Sequence, residues 1–242
     1  MGKNTIQDTK PALVRLRDAL ETEAFKKFEN NRTGFNIFKA LGVGDYEIRH
    51  SNMLAWLMNP REKHNLGERF LKGMLARIRE SNPKKDYGCL KKLMDDDFAT
   101  CRISREEENR DIQIEFFNSK VILVIENKWN AGESEGSEEN DGQLKKYQRS
   151  IDSQFDKSWG KVFVFLTPEG RLPSAKNQVR WGVLGYGAIR EIITSLLKED
   201  RLDGKREIKT FVEHYLKIIE ERIGCMTADE EKLPLAKVNV GL

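Results

Sequence analysis

"RDIQIEFFNSKVILVIENKWN", residues 110–130, decides the fold. Polar and apolar residues alternate from Asp111 to Phe116, and Asn118-Ser119 supplies a turn. An apolar run from Val121 to Ile125 then returns and ends at Glu126-Asn127-Lys128. This is the pattern of a β-hairpin. A turn centred on Asn118-Ser119 sets Phe117 against Lys120, so paired residue numbers sum to 237 and Asp111 lies opposite Glu126. Cross-strand neighbours have Cβ atoms about 4.5–5.5 Å apart. Lys128, two residues beyond Glu126, leaves the same face, while Ile112, Ile114, Phe116, Val121, Leu123 and Ile125 make a core face.

Like charges opposed across a ladder destabilise it unless something compensates them. A hard divalent cation does so: Mg²⁺ takes one or two carboxylates together with water and phosphate oxygens. Asp111 and Glu126 are therefore candidate ligands, and the backbone carbonyl of Asn127 a further one. Such a metal acidifies bound water and neutralises charge on phosphoryl oxygens, with Lys128 placed to orient or help deprotonate the water. An acid-x-Lys triplet alone is weak, since it recurs at Asp8, Asp203, Glu207 and Glu230 as ordinary surface charge. Only the copy at 126–128 ends an apolar strand with an aspartate in register.

Working outward, residues 8–30 read as an amphipathic helix. A second helix starts near Tyr46 and stops before Pro60, and a third runs through "GERFLKGMLARIRES", followed by the loop "NPKKDYG". Beyond the hairpin, "QLKKYQRSI" reads as a helix and "KVFVFLT" as a buried strand, which implies a parallel crossover. Two helices follow, around 186–198 and 206–223, and the remainder has the weak patterning of a tail.

On the helix after the hairpin, Gln143 and Tyr147 are four apart and share a face. On the second helix, Glu47, His50 and Ser51 lie on one stripe with Leu54, Leu57 and Met58. The leucines and Met58 are ordinary core; a glutamate beside them needs a partner, because burying an unpaired charge is expensive. Glu47 either makes a structural ion pair at the helix end or points into the metal site as ligand or water-holder. For His50 a hydrogen-bonded structural role weighs at least as much as a catalytic one.

The chain is 242 residues long, 38% hydrophobic and 33% charged, with a net charge of +3. Residues 130–142 carry five acids and no base, so the rest of the chain is +8, compatible with a polyanionic partner. No apolar run is long enough to span a bilayer, and "MGKNTIQDTK" has no apolar core of a secretory signal. Cys89, Cys101 and Cys225 are scattered, as expected of reduced thiols in a cytoplasmic protein. The equally scattered His50, His64 and His214 exclude a zinc site, and the absence of a GxxxxGK[ST] loop excludes a built-in ATP motor.

Asp111, Glu126-Asn127-Lys128, Gln143 and Tyr147, in that order, resemble the PD-(D/E)xK nuclease superfamily, particularly its RecB-like branch with a Gln-x-x-x-Tyr motif. "EIRHSNMLAWLMNPREKHNLGERFL", "VFVFLTPEGRLP" and "RWGVLGYGAIREI" resemble segments of a bacterial family within it, and the likeness covers roughly residues 35–223. The resemblance implies an α/β, restriction-endonuclease-like core: a central mixed β-sheet flanked by α-helices, with a helical N-terminal extension over 1–34 and a tail over 224–242. It also implies hydrolysis of phosphodiesters, in DNA, with Mg²⁺ or Mn²⁺. Asp111, Glu126 and Glu47 then hold metal, Lys128 is the catalytic lysine, and Gln143 and Tyr147 support the site. Bacterial defence or mobile-element biology is the usual setting, and a homodimer or protein partner fits double-strand cutting. The competing expectation is a catalytically silent or partner-dependent nucleic-acid-binding module, against which the intact Asp111, Glu126 and Lys128 argue; a structural cation is a third. The acidic segment is longer than the tight connection expected before Gln143. It is expected to gate the cleft, so that deleting residues 133–141 raises nonspecific DNA binding.

Overall fold

The computed structural model describes residues 34–93, 96–130, 142–174, 176–199, 202 and 205–231, with side chains as far as residue 224. The expected helix at 8–30, most of the acidic segment and the last residues lie outside the described ones. In chain order the elements are α1 (Ile37–Ala40), α2 (Glu47–Met58), α3 (Arg69–Ser81), α4 (Cys89–Lys92), β1 (Arg102–Ser104), β2 (Ile112–Phe116), β3 (Val121–Asn127), α5 (Gln143–Gln154), β4 (Gly160–Thr167), β5 (Trp181–Gly185), α6 (Tyr186–Lys198) and α7 (Arg206–Glu231). The last helix runs past its expected end at residue 223. No helix among the described residues is long and apolar enough to cross a membrane.

The five strands form one mixed sheet in the order β1-β2-β3-β4-β5. The pairs β1·β2 and β2·β3 are antiparallel, whereas β3·β4 and β4·β5 are parallel. Ile112 pairs with Ile125 and Phe116 with Val121, so the hairpin has the register read from the sequence. Lys120 closes its turn at φ 49°, with its N–H on the Phe117 carbonyl at 3.3 Å. This is an α/β architecture of restriction-endonuclease type, a central mixed sheet flanked by helices, as the sequence leads one to expect.

Both faces of the sheet are covered. Ile112, Ile114, Phe116, Leu123 and Ile125 pack into the main core with residues of α2, α3, α6 and α7. Ile122 and Val124 face the other way, against Leu144, Tyr147 and Ile151 of α5. A strand enclosed on two sides gains from an unbroken apolar run, which is what β3 is. On β2 the polar positions are buried too: Gln113 and Glu115 lie under 5% exposed. Its alternation separates an apolar layer from a buried polar one, not core from solvent.

The parallel strands β3, β4 and β5 end at the same edge of the sheet, and the chain past β3 stays tied there, with Lys128 N–H on the Leu166 carbonyl at 2.8 Å. In open α/β sheets the edge beyond the strand carboxyl ends is where ligands bind. The N-terminus of α2 is brought to this edge by Glu47.

Candidate active site

Asp111 directly precedes β2, one residue before the Ile112–Ile125 pair, so it stands across the ladder from Glu126. Its Oδ2 accepts the Asn127 N–H at 2.7 Å. Glu126 is fully buried. Its Oε1 lies 2.7 Å from Lys128 Nζ, while Oε2 has no hydrogen-bond partner among the described residues. Lys128 also reaches Glu47 Oε1 at 3.3 Å. The other oxygen of Glu47 accepts the Trp129 N–H at 2.8 Å. Three carboxylates and one ammonium, from the residue before β2, the end of β3, the residue just past it and the start of α2, thus form one cluster.

Burial pushes the Asp111 carboxyl up to about 6, despite the Asn127 N–H and the Lys128 charge. Burial and then the negative Asp111 push Glu126 up to about 8, despite Lys128. For Lys128, burial acts to lower the pKa, but Glu126, Glu47 and Asp111 outweigh it and hold the ammonium protonated. The cluster is short of positive charge: two acids are driven toward neutrality although a lysine already touches one of them. An oxygen-only donor set with an unpartnered buried carboxylate oxygen fits a hard divalent cation. Among the described residues no group of three His, Cys, Asp or Glu side chains is arranged as a metal site. Both Glu47 oxygens are taken, so Glu47 as it stands is an anchor for Lys128 and for the backbone at Trp129.

The strand end is fixed from both sides. Asn127 Nδ2 donates to Ser51 Oγ at 3.1 Å, and its Oδ1 accepts from the Tyr186 hydroxyl at 2.8 Å. Trp129 stacks on the His50 ring at a centroid distance of 3.6 Å. His50 Nε2 donates to the Gly44 carbonyl at 2.7 Å, and burial lowers its pKa to about 4, so it is a neutral group packed against Trp129. The Asn127 side chain, Trp129 and Tyr186 are supports that sequence reasoning missed. Trp129 follows Lys128 directly, which was the one available signal.

Gln143 Nε2 donates to the Tyr147 hydroxyl at 2.6 Å, and that hydroxyl donates to the Asn109 carbonyl. The two α5 residues do share a face, turned toward the loop that carries Asp111. Burial and then Glu126 push the Tyr147 phenol up to about 12, so it stays protonated as a donor.

A family model described as the PD-(D/E)XK nuclease superfamily matches residues 35–217. No curated protein and no solved structure matches the chain.

Proposed function

Since the chain belongs to the PD-(D/E)XK nuclease superfamily, we propose that it hydrolyses phosphodiester bonds in DNA with a divalent metal ion, Mg²⁺ or Mn²⁺, held by Asp111 and Glu126. The observation that carries this reading is the buried, unpartnered Glu126 Oε2 opposite a second carboxylate and beside Lys128. Two protein carboxylates suit Mg²⁺, which keeps water and substrate oxygens in its remaining positions. The backbone carbonyl of Asn127 is a further oxygen for it. Bound there, the ion supplies an acidified water and neutralises charge on the phosphoryl group.

The chain's own groups do the rest. Lys128, kept protonated by the carboxylates around it, acts as a fixed cation for the charge that builds on the phosphoryl oxygens and orients the attacking water. Glu47 holds Lys128 and the Trp129 backbone in place from α2. Gln143 and Tyr147 steady the Asp111 loop, in the manner of the Gln-x-x-x-Tyr motif of RecB-like nucleases. A nucleic-acid substrate is supported by the family and by the +8 charge outside residues 130–142, and DNA is the substrate put to the test. A cytoplasmic role in defence or mobile-element biology fits such a nuclease.

The test is incubation of purified protein with linear and circular, single- and double-stranded DNA, and with RNA, in Mg²⁺, Mn²⁺ or EDTA. Metal-dependent cutting of DNA is expected. Cutting of RNA alone would overturn the substrate, cutting in EDTA the metal, and metal binding without any cutting would favour a silent or partner-dependent module.

A further inference from the structure

We propose that Arg110 is a positioning residue that latches the β1–β2 loop onto α5 and so holds Asp111 in register with Glu126. The inference rests on the reading of Asp111 as a metal ligand. Within this loop Glu106, Glu108 and Asn109 have φ of 56°, 51° and 64°. All three carry side chains in the left-handed region, which persists only when surrounding contacts hold it. Arg110 supplies the contact at Glu108. It is wholly buried, with its Nε on Gln113 Oε1 at 2.7 Å. Nη1 donates to Glu108 Oε2 at 2.8 Å and to Ser150 Oγ at 3.0 Å, and Nη2 reaches Gln154 Oε1 at 3.5 Å.

The helix grips the same loop from its side. Ser150 and Gln154 both donate to the Glu108 carboxylate, and Tyr147 donates to the Asn109 carbonyl. One guanidinium therefore ties β2, the loop and α5 together immediately before Asp111, without touching Glu126 or Lys128. A lysine carries the same charge but has no planar fork to bridge three elements at once. Removing the fork breaks the link from Gln113 of β2 to Glu108 and α5, leaves Glu108 to Ser150 and Gln154 alone, and so loosens the backbone that leads into Asp111.

The test is Mn²⁺ binding by calorimetry on the full chain as wild type, Arg110→Lys and Asp111→Asn, with folded fraction followed by circular dichroism. Folded R110K is expected to bind Mn²⁺ at least tenfold more weakly, and its cleavage to recover as Mn²⁺ is raised, which D111N does not do. A merely structural arginine would lower the melting temperature and leave the Mn²⁺ affinity of the folded fraction unchanged; that result overturns the latch. Mn²⁺ binding absent from wild type, or undiminished in D111N, overturns the ligand reading and the latch with it. If R110K does not fold, Ser150→Ala with Gln154→Ala removes the α5 half of the latch. It is then judged by the same Mn²⁺ affinities.

Discussion

Glu126 and Asp111 face each other at the buried end of a hairpin, where burial raises their carboxyls to about 8 and about 6. A carboxyl raised on folding contributes stability that is complete below its ordinary range and is lost as pH rises through the folded value. For this pair the loss runs from about pH 4 to about pH 8. In EDTA, Glu126→Gln is therefore expected to be more stable than wild type at pH 9, by about 2–4 kcal/mol. The margin should shrink toward pH 5, as read by urea unfolding at the two pH values. A margin that grows toward acid would show that the acids are not the source of the cost. His50 has the opposite sign: its contribution is complete above pH 6.5 and is lost as pH falls through about 4. Asp111, Glu126 and Lys128 were legible because a hairpin's period and turn fix which residues oppose each other. The supports of Asn127 were not, since Ser51 and Tyr186 lie 76 and 59 residues away and meet it only through tertiary packing.

At the edge of the sheet, β5 has no further strand beside it among the described residues, and a side chain takes that place. Asn82, just after α3, donates to the Val183 carbonyl and accepts the Val183 N–H, both at 2.8 Å. It mimics the hydrogen bonding of a neighbouring strand and closes an exposed ladder. The fit is tight, since a Cβ added at Gly182 would stand 2.5 Å from the Tyr87 hydroxyl and 2.7 Å from Asn82 Oδ1. Asn82→Ala is expected to destabilise by about 1–3 kcal/mol, because it leaves both Val183 groups unpaired. Cleavage per folded molecule should stay unchanged; a variant as stable as wild type would show that the clamp carries no weight. Elements with a long, clean period were legible, namely α2, α3, the hairpin, α5, β4, α6 and all but the end of α7. Three-residue β1 and the glycine-bounded "WGVLG" of β5 were not, because so short a run gives no period to read. Nor does any glycine in "EEENR" announce the left-handed loop before Asp111.

Across the whole molecule, the folding problem and the chemical problem meet at one sheet edge. A core built on both faces of β3 fixes the strand end, α2 brings Glu47 to it, and α5 braces the loop that carries Asp111. On the proposed reading, the cost of burying the acids is offset when a cation joins them. A ligand that binds only the folded state at a hundred times its Kd stabilises by about 2.7 kcal/mol. Mg²⁺ added to EDTA-stripped wild type is therefore expected to raise the melting temperature. The rise should vanish in a variant carrying both Asp111→Asn and Glu126→Gln. An equal rise in that variant would move the metal elsewhere. The hairpin and the parallel crossover were legible because the βαβ unit after the hairpin allows few topologies, while the full mixed sheet flanked by helices followed from the family resemblance. The most direct test of the central claim is DNA cleavage in Mg²⁺ by wild type and by Lys128→Ala, purified in parallel and both shown to be folded. The account predicts metal-dependent cutting by wild type that falls at least a hundredfold, by roughly 3 kcal/mol of barrier, in the variant. Cutting that persists in Lys128→Ala would contradict it and place the reaction at another site.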